Sequence, residues 1–253
     1  MARVIGVINA KGGVGKTTTA NSLGAALASM GKYVLLVDLD PQANASAGLG
    51  IRLEDHHLNL YHSIIDGKHP ESIVRKHTLF GFDVLPSAAS LAGATVELVT
   101  MPEREFKLKQ ALNKIRTNYD YILIDSPPSL GLLTVNGLVA AEQVIIPVQC
   151  EYYALEGLTQ LLGTIELVRQ SLNPDLKILG ALLTMYDKRN TLARQVVAEV
   201  QKNFPGHVFQ SIIPRSVSLA EAPSFGKTII EFDPKSQGAK AYTELAQEII
   251  NLS

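Results

Sequence analysis

The chain has 253 residues, 46% hydrophobic and 19% charged, enough for one large α/β domain whose core needs no staple. Its 23 basic and 24 acidic residues leave a net charge of −1, which excludes a globally basic chromatin-type protein but not a local basic patch. The single cysteine, Cys150, excludes an intramolecular disulfide and any CxxC metal site and fits a reducing compartment.

No apolar run approaches the ~18–20 residues that span a bilayer. Val4–Ile8 is too short for the apolar core of a signal peptide, so the expectation is a cytoplasmic protein. Short aliphatic runs at Arg3–Ile8, Tyr33–Val37, Asp83–Leu85, Tyr121–Ile124, Val144–Val148 and Lys177–Thr184 read as strands buried on both faces of a parallel sheet. Helical stripes lie between them. Ala20, Leu23, Leu27 and Met30 share a face that Gly31 would close, and Leu155, Leu158, Leu161, Leu162, Ile165 and Val168 form a second stripe before Asn173-Pro174. Val196, Val197 and Val200 predict a third helix, and Tyr242, Leu245, Ile249 and Ile250 a last one. Residues 51–82 are the least regular and read as helical insertion and loop, and the Glu97–Arg116 region reads as a charged helix face. This alternation predicts a single doubly wound, mostly parallel α/β domain over residues 1–253, its sheet flanked by helices.

Ala10-Lys11-Gly12-Gly13-Val14-Gly15-Lys16-Thr17-Thr18 follows the first strand and opens the first helix, where a phosphate loop belongs. The glycines let backbone N–H groups turn inward, and the helix N-terminus adds about half a positive charge. Lys16 is expected at the β/γ-phosphates and the Thr17 hydroxyl on Mg²⁺. At ordinary residue usage the six fixed positions would coincide on the order of once in 10⁵ chains, so an accidental glycine-rich turn is rejected. The loop departs from G-x-x-x-x-G-K-[ST]: Ala10 replaces the first glycine, and Lys11 adds a second cation that could serve a neighbouring subunit's nucleotide.

Two strands end in acids, at Asp38-Leu39-Asp40 and at Asp125. Ligands of open α/β sheets lie beyond the carboxyl ends of the strands, where these acids would meet the loop. Asp40 is assigned to water activation and Asp125 to Mg²⁺ through water, while Asp38 reads best as a strand-end cap. His56, His57, His62, His69 and His77 are unevenly spaced, without a nearby cysteine, and read as a solvated loop rather than a zinc site.

These motifs resemble the deviant-Walker-A ATPases of the MinD/ParA superfamily, and within it the ParA/Soj chromosome- and plasmid-partitioning proteins. The resemblance runs over nearly the whole chain: Lys11–Thr18, Asp38–Gln42, Asp125–Leu130, residues 147–152, Pro214-Arg215, Leu219–Pro223 and Gly226-Lys227. It implies a P-loop NTPase fold of MinD/ParA type, without an N-terminal helix-turn-helix extension, that binds ATP and Mg²⁺ through Lys11, Gly12, Gly13, Val14, Gly15, Lys16, Thr17 and Thr18. It further implies an ATP-bound sandwich homodimer in which Lys11 crosses the interface, Gly12 allows close approach, Asp40 positions the attacking water, and Pro214 and Ser216 lie near the adenine. The dimer is expected to bind double-stranded DNA without sequence preference, on the nucleoid, until a ParB/Spo0J-like partner stimulates hydrolysis. Relatives commonly carry Asn at position 216 and Arg at position 218, where this chain has serines. Arg189, Arg194 and Arg215 are then the expected DNA contacts, with Lys227 on the same side, in a region where acids look sparse. A ParA-like positioner of another cargo is the main alternative. A MinD-type regulator would need a basic amphipathic C-terminal helix, whereas Gln247–Ser253 carries acid.

Overall fold

The computed structural model describes residues 1–54, 57–151 and 156–252. Seven strands form one sheet: β1 (Arg3–Val7), β2 (Val34–Asp38), β3 (Arg75–Lys76), β4 (Phe82–Leu85), β5 (Tyr121–Asp125), β6 (Gln143–Gln149) and β7 (Lys177–Thr184). Their order is β3-β4-β2-β5-β1-β6-β7, parallel throughout except for β3 against β4. All five residues of β2 and of β5 are buried, as continuous apolar runs require when both faces are covered.

Alternation along the strands divides the core. Ile5, Val7, Leu36 and Leu123 face α1 (Lys16–Ser29) and, near the C-terminus, the helix Gln237–Asn251. Val4, Leu35, Val37 and Ile122 face the opposite side, under α3 (Leu60–Ile64), α4 (Leu91–Glu97) and α5 (Lys107–Asn113), which follow the short α2 (Asn44–Gly48). Farther along that side, Val144, Ile146, Ala181 and Leu183 meet α6 (Leu132–Ala140), α7 (Glu156–Ser171) and α8 (Thr191–Asn203). The last part of the chain forms α9 (Val217–Glu221), α10 (Ile229–Phe232) and α11 (Gln237–Asn251). Tyr242 of α11, 1% exposed, joins its hydroxyl to Thr19 of α1 at 3.1 Å.

The expected strands are present, β2 lying one residue later than its apolar run and ending on Asp38. The irregular segment holds α3 and also β3, an edge strand of two charged residues with no apolar period to announce it. Within the Glu97–Arg116 region only residues 107–113 are α-helical beyond α4, and the buried Leu108, Ala111 and Leu112 anchor them. The solvated reading of the histidines fails at His77, whose side chain is 3% exposed and packs edge-on against Phe82. His62 helps cap α3: its Nδ1 accepts from the Asn59 amide at 3.1 Å. Among the described residues no cluster of metal-ligating side chains occurs, and His56 and Leu155 lie outside them. No described helix is long and apolar enough to cross a membrane. Cys150 is buried, which pushes its thiol up to about 11.

The packing of α1 on the sheet depends on Gly24, where an added Cβ would lie 2.7 Å from Phe82 Cε2 and Cζ. Phe82 is 1% exposed and has nowhere to move. Alanine would gain up to about 1 kcal/mol of helix propensity and lose about 1–3 kcal/mol to overpacking. Gly24→Ala is therefore expected to lower the urea midpoint; an unchanged or raised midpoint would show that Phe82 can yield.

Candidate nucleotide site

Strand β1 delivers the chain into a loop that enters α1 through Gly13 (φ 73°) and Gly15 (φ 92°), both left-handed and therefore suited to glycine. Gly15 caps α1 without a side-chain acceptor, so the first-turn amides have no capping side chain and suit an anion. Three bonds brace the loop. Asn9 Nδ2 donates to the Pro147 carbonyl at 2.7 Å, Asn9 Oδ1 accepts from the Lys11 amide at 3.0 Å, and Thr184 Oγ1 donates to the Val14 carbonyl at 2.8 Å. Lys16, 7% exposed, folds back so that Nζ donates to the Lys11 carbonyl at 2.9 Å. Burial pushes its ammonium below the usual lysine range, while Asp125 and Asp40 pull the other way.

Register puts the acids where the sequence expects them. Asp125 is level with Val7 of β1 on one side and Asp38 of β2 on the other. Asp125 is wholly buried; its Oδ2 accepts from Thr17 Oγ1 at 2.7 Å, and its Oδ1 has no partner among the described residues. Desolvation and the neighbouring Asp38 raise its carboxyl well above the usual range, against the lowering effect of Thr17 and Lys16. A buried carboxylate oxygen without a donor, beside a threonine hydroxyl, is a donor set that suits hydrated Mg²⁺, a hard cation that keeps part of its water.

Asp38 is a structural cap, as expected. Its Oδ2 accepts from the Ser46 amide at 2.8 Å and hydroxyl at 2.7 Å, and its Oδ1 from the Asp40 amide at 3.2 Å. Burial nevertheless pushes it up to about 6. Asp40 is 7% exposed, accepts from the Gln42 amide at 2.9 Å, and borders a cradle of about 320 Å³ with Gly12, Gly13, Lys16, Thr17 and Thr18.

A second cleft of about 200 Å³ adjoins the cradle, with Pro214 and Ser216 in its wall beside Thr18 and Thr184. Ser216 Oγ accepts from the Leu219 amide at 3.4 Å, at the N-cap of α9. Met185 borders both spaces and holds φ 53°, a left-handed conformation uncommon for a side chain with a Cβ. The sequence does not mark Met185 or the bracing pair Asn9 and Thr184; only Asn9, the polar residue that closes the first apolar run, offers a signal.

The three expected DNA contacts are exposed but not alike. Asp187 grips Arg189 in a fork, Oδ1 to Nε at 3.0 Å and Oδ2 to Nη2 at 2.9 Å, and is itself held down at about 2. Arg215 Nη2 donates to Glu151 Oε1 at 3.1 Å. Arg194 donates to the Lys188 carbonyl at 2.8 Å and to Thr191 Oγ1 at 3.0 Å and meets no carboxylate among the described residues. The expectation of sparse acids is thus corrected: Asp187 lies two residues before Arg189, and the parallel pairing of β6 with β7 sets Glu151 beside the segment that carries Arg215.

Residues 2–178 match the family model described as AAA domain. The chain is 54% identical over 249 residues to the sporulation initiation inhibitor protein Soj of Bacillus subtilis, covering 98% of each, and 51% identical to the chromosome partitioning protein ParA of Myxococcus xanthus, covering 99% of this chain and 88% of that one. It belongs to the ParA/Soj family of partitioning ATPases. A solved structure from Mycobacterium smegmatis, described as cobyrinic acid a,c-diamide synthase with bound ADP and magnesium, superposes with a TM-score of 0.88 at 41% identity, covering 99% of this chain and 95% of that one. The mostly parallel sheet and phosphate loop are thus those of a ParA/Soj ATPase.

The raised Asp38 carboxyl has a stability consequence. Its folded value lies above the unfolded one, so between about pH 4 and 6 the folded state holds more protons and stability falls as pH rises. The unfolding free energy of the parent minus that of Asp38→Asn should drop by about 3 kcal/mol across that window. Urea melts at pH 4, 5, 6 and 7 measure it, and a flat difference would show that Asp38 titrates normally.

Proposed function

We propose that this ParA/Soj-family chain is a nucleotide-controlled DNA-partitioning switch: an ATP-bound sandwich dimer that holds DNA without sequence preference until a ParB/Spo0J-like, centromere-bound partner triggers hydrolysis. The observation that carries the reading is Lys11. Its amide is held by Asn9 and its carbonyl by Lys16, yet its ammonium has no partner among the described residues. A cation with a pinned backbone and a free head, on the rim of a site already served by Lys16, is suited to the nucleotide of a second copy.

Within each subunit, Lys16 and the first-turn amides of α1 bind the β- and γ-phosphates, and Pro214 and Ser216 border the adenine. Thr17 and Asp125, the latter through water, hold Mg²⁺, which neutralises phosphate charge. Asp40 accepts a hydrogen bond from the attacking water and aligns it. Exposed Gly12 leaves room for a partner's backbone. Hydrolysis is slow in the isolated protein because no arginine lines the cradle among the described residues. DNA meets the face carrying Arg194, with Arg189 and Arg215 exchanging carboxylate for phosphate, and doubling in the dimer makes the patch effective. In that state the protein resides on the nucleoid. Positioning of a different cargo would use the same cycle, and a neighbouring ParB-like gene separates the two.

Lys16→Ala should abolish the thermal stabilisation by magnesium-ATP, which at a hundredfold excess over Kd is worth about 2.7 kcal/mol in the parent. Lys11→Ala should keep that stabilisation but remain monomeric by light scattering with ATP. Asp40→Ala should accumulate the ATP dimer and lose hydrolysis by about 100-fold or more. A dimeric Lys11 variant overturns the role in trans.

DNA binding should require ATP and fall steeply with salt. Two copies of Arg194 neutralise two phosphates, so Arg194→Ala should reduce the slope of log K against log salt by about 2 and weaken binding alike on all duplexes. Arg189→Ala, which first releases Asp187, should cost less. Sequence-selective loss in either variant, or no ATP-dependent binding by the parent, contradicts the reading.

A further inference from the structure

Met185, the residue that follows β7, has no part in the reading above. Its φ of 53° is one that glycine adopts without strain and a residue with a Cβ adopts at a cost in free energy. The turn is held in that shape from both sides. On one, the Thr184 carbonyl accepts from the Cys150 amide at 3.0 Å, and the Thr184 hydroxyl donates to the Val14 carbonyl at 2.8 Å. On the other, the Tyr186 amide donates to the Ile213 carbonyl at 3.0 Å, and the Tyr186 carbonyl accepts from the Arg215 amide at 2.9 Å.

The core does not account for the side chain. Met30, Met101 and the adjacent Tyr186 all pack against it, whereas the half-buried Met185 joins none of its three parts among the described residues. Its place is a junction. The phosphate cradle and the cleft with Pro214 and Ser216 share three bordering residues, Gly15, Thr18 and Met185. Gly15 has no side chain, and Thr18 belongs to the first turn of α1, on the phosphate side. Only Met185 of the three comes from the end of β7. A nucleotide with its phosphates in the cradle and its base in the cleft must carry its sugar past this point.

We propose that Met185 is a nucleotide-contacting residue whose thioether side chain packs against the sugar and base where they cross from cleft to cradle, held there by its strained turn. This rests on the nucleotide reading of the site and adds a residue to it. An unbranched, polarizable side chain suits a surface that is part sugar and part aromatic ring. The contact carries no charge, so it acts on the nucleoside and not on the phosphates.

The test is calorimetric titration of the full chain, in magnesium, with ATP and with inorganic tripolyphosphate, which lacks sugar and base. Met185→Ala should weaken ATP binding about tenfold, the worth of roughly two methylene-sized groups withdrawn from contact, and leave tripolyphosphate binding unchanged. Met185→Leu, of similar volume, should keep ATP affinity within about threefold of the parent. Met185→Gly should bind ATP as weakly as the alanine variant yet unfold at a higher urea concentration than it, because glycine relieves the turn. Equal losses for ATP and tripolyphosphate in Met185→Ala would reduce the residue to a support of the loop and overturn the contact. Parental ATP affinity in Met185→Gly would overturn it as well. An alanine variant at least as stable as the glycine variant would overturn the strained turn. Lys16→Ala should lose both ligands. A parent that binds neither would overturn the nucleotide reading and this contact with it, whereas failure at Met185 alone leaves that reading standing.

Discussion

Two carboxylates side by side at the ends of β2 and β5 set the terms for everything around them. Parallel pairing places Asp38 level with Asp125, and both are fully buried. Like charges this close, cut off from water, would drive one another neutral unless other groups supplied hydrogen bonds or positive charge. Asp38 is satisfied from its own side by Ser46 and the Asp40 amide. Asp125 is satisfied only by half, by Thr17, and the remaining oxygen leaves a demand for a cation. Lys16 nearby meets part of that demand, although its own burial depresses its ammonium.

That arrangement also fixes geometry. Because Asp38 grips the Asp40 amide and the start of α2 at once, the turn carrying Asp40 is tied to the sheet rather than left as a loose loop. Asn9 and Thr184 do the same for the phosphate loop, anchoring it to β6 and β7. The cradle is therefore held from both halves of the sheet, at the point where strand order departs to either side of β1.

Much of this could be read from residues because the signals are local. Gly13, Gly15, Lys16 and Thr17 act through a stretch whose spacing is itself the geometry, and the buried strands announce themselves as unbroken aliphatic runs. What escaped depends on pairing across distance. The β3 edge has two charged residues and exists only because β4 lies beside it. His77 looks solvated in a polar stretch, yet Phe82 covers it. Glu151 neutralises an arginine that seems unopposed along the chain, since 64 residues separate it from Arg215. Charge spacing along a sequence does not report charge spacing in space.

The inward fold of Lys16 changes what nucleotide binding is. With Nζ already bonded to the Lys11 carbonyl, the Lys16 ammonium is not bare at rest. An incoming phosphate trades places with a carbonyl oxygen, so the measured affinity reflects the difference between two acceptors rather than the full strength of the new one. The same trade frees the Lys11 carbonyl, loosening one of the two backbone ties on that residue. Filling the cradle thereby alters the freedom of the Lys11 side chain.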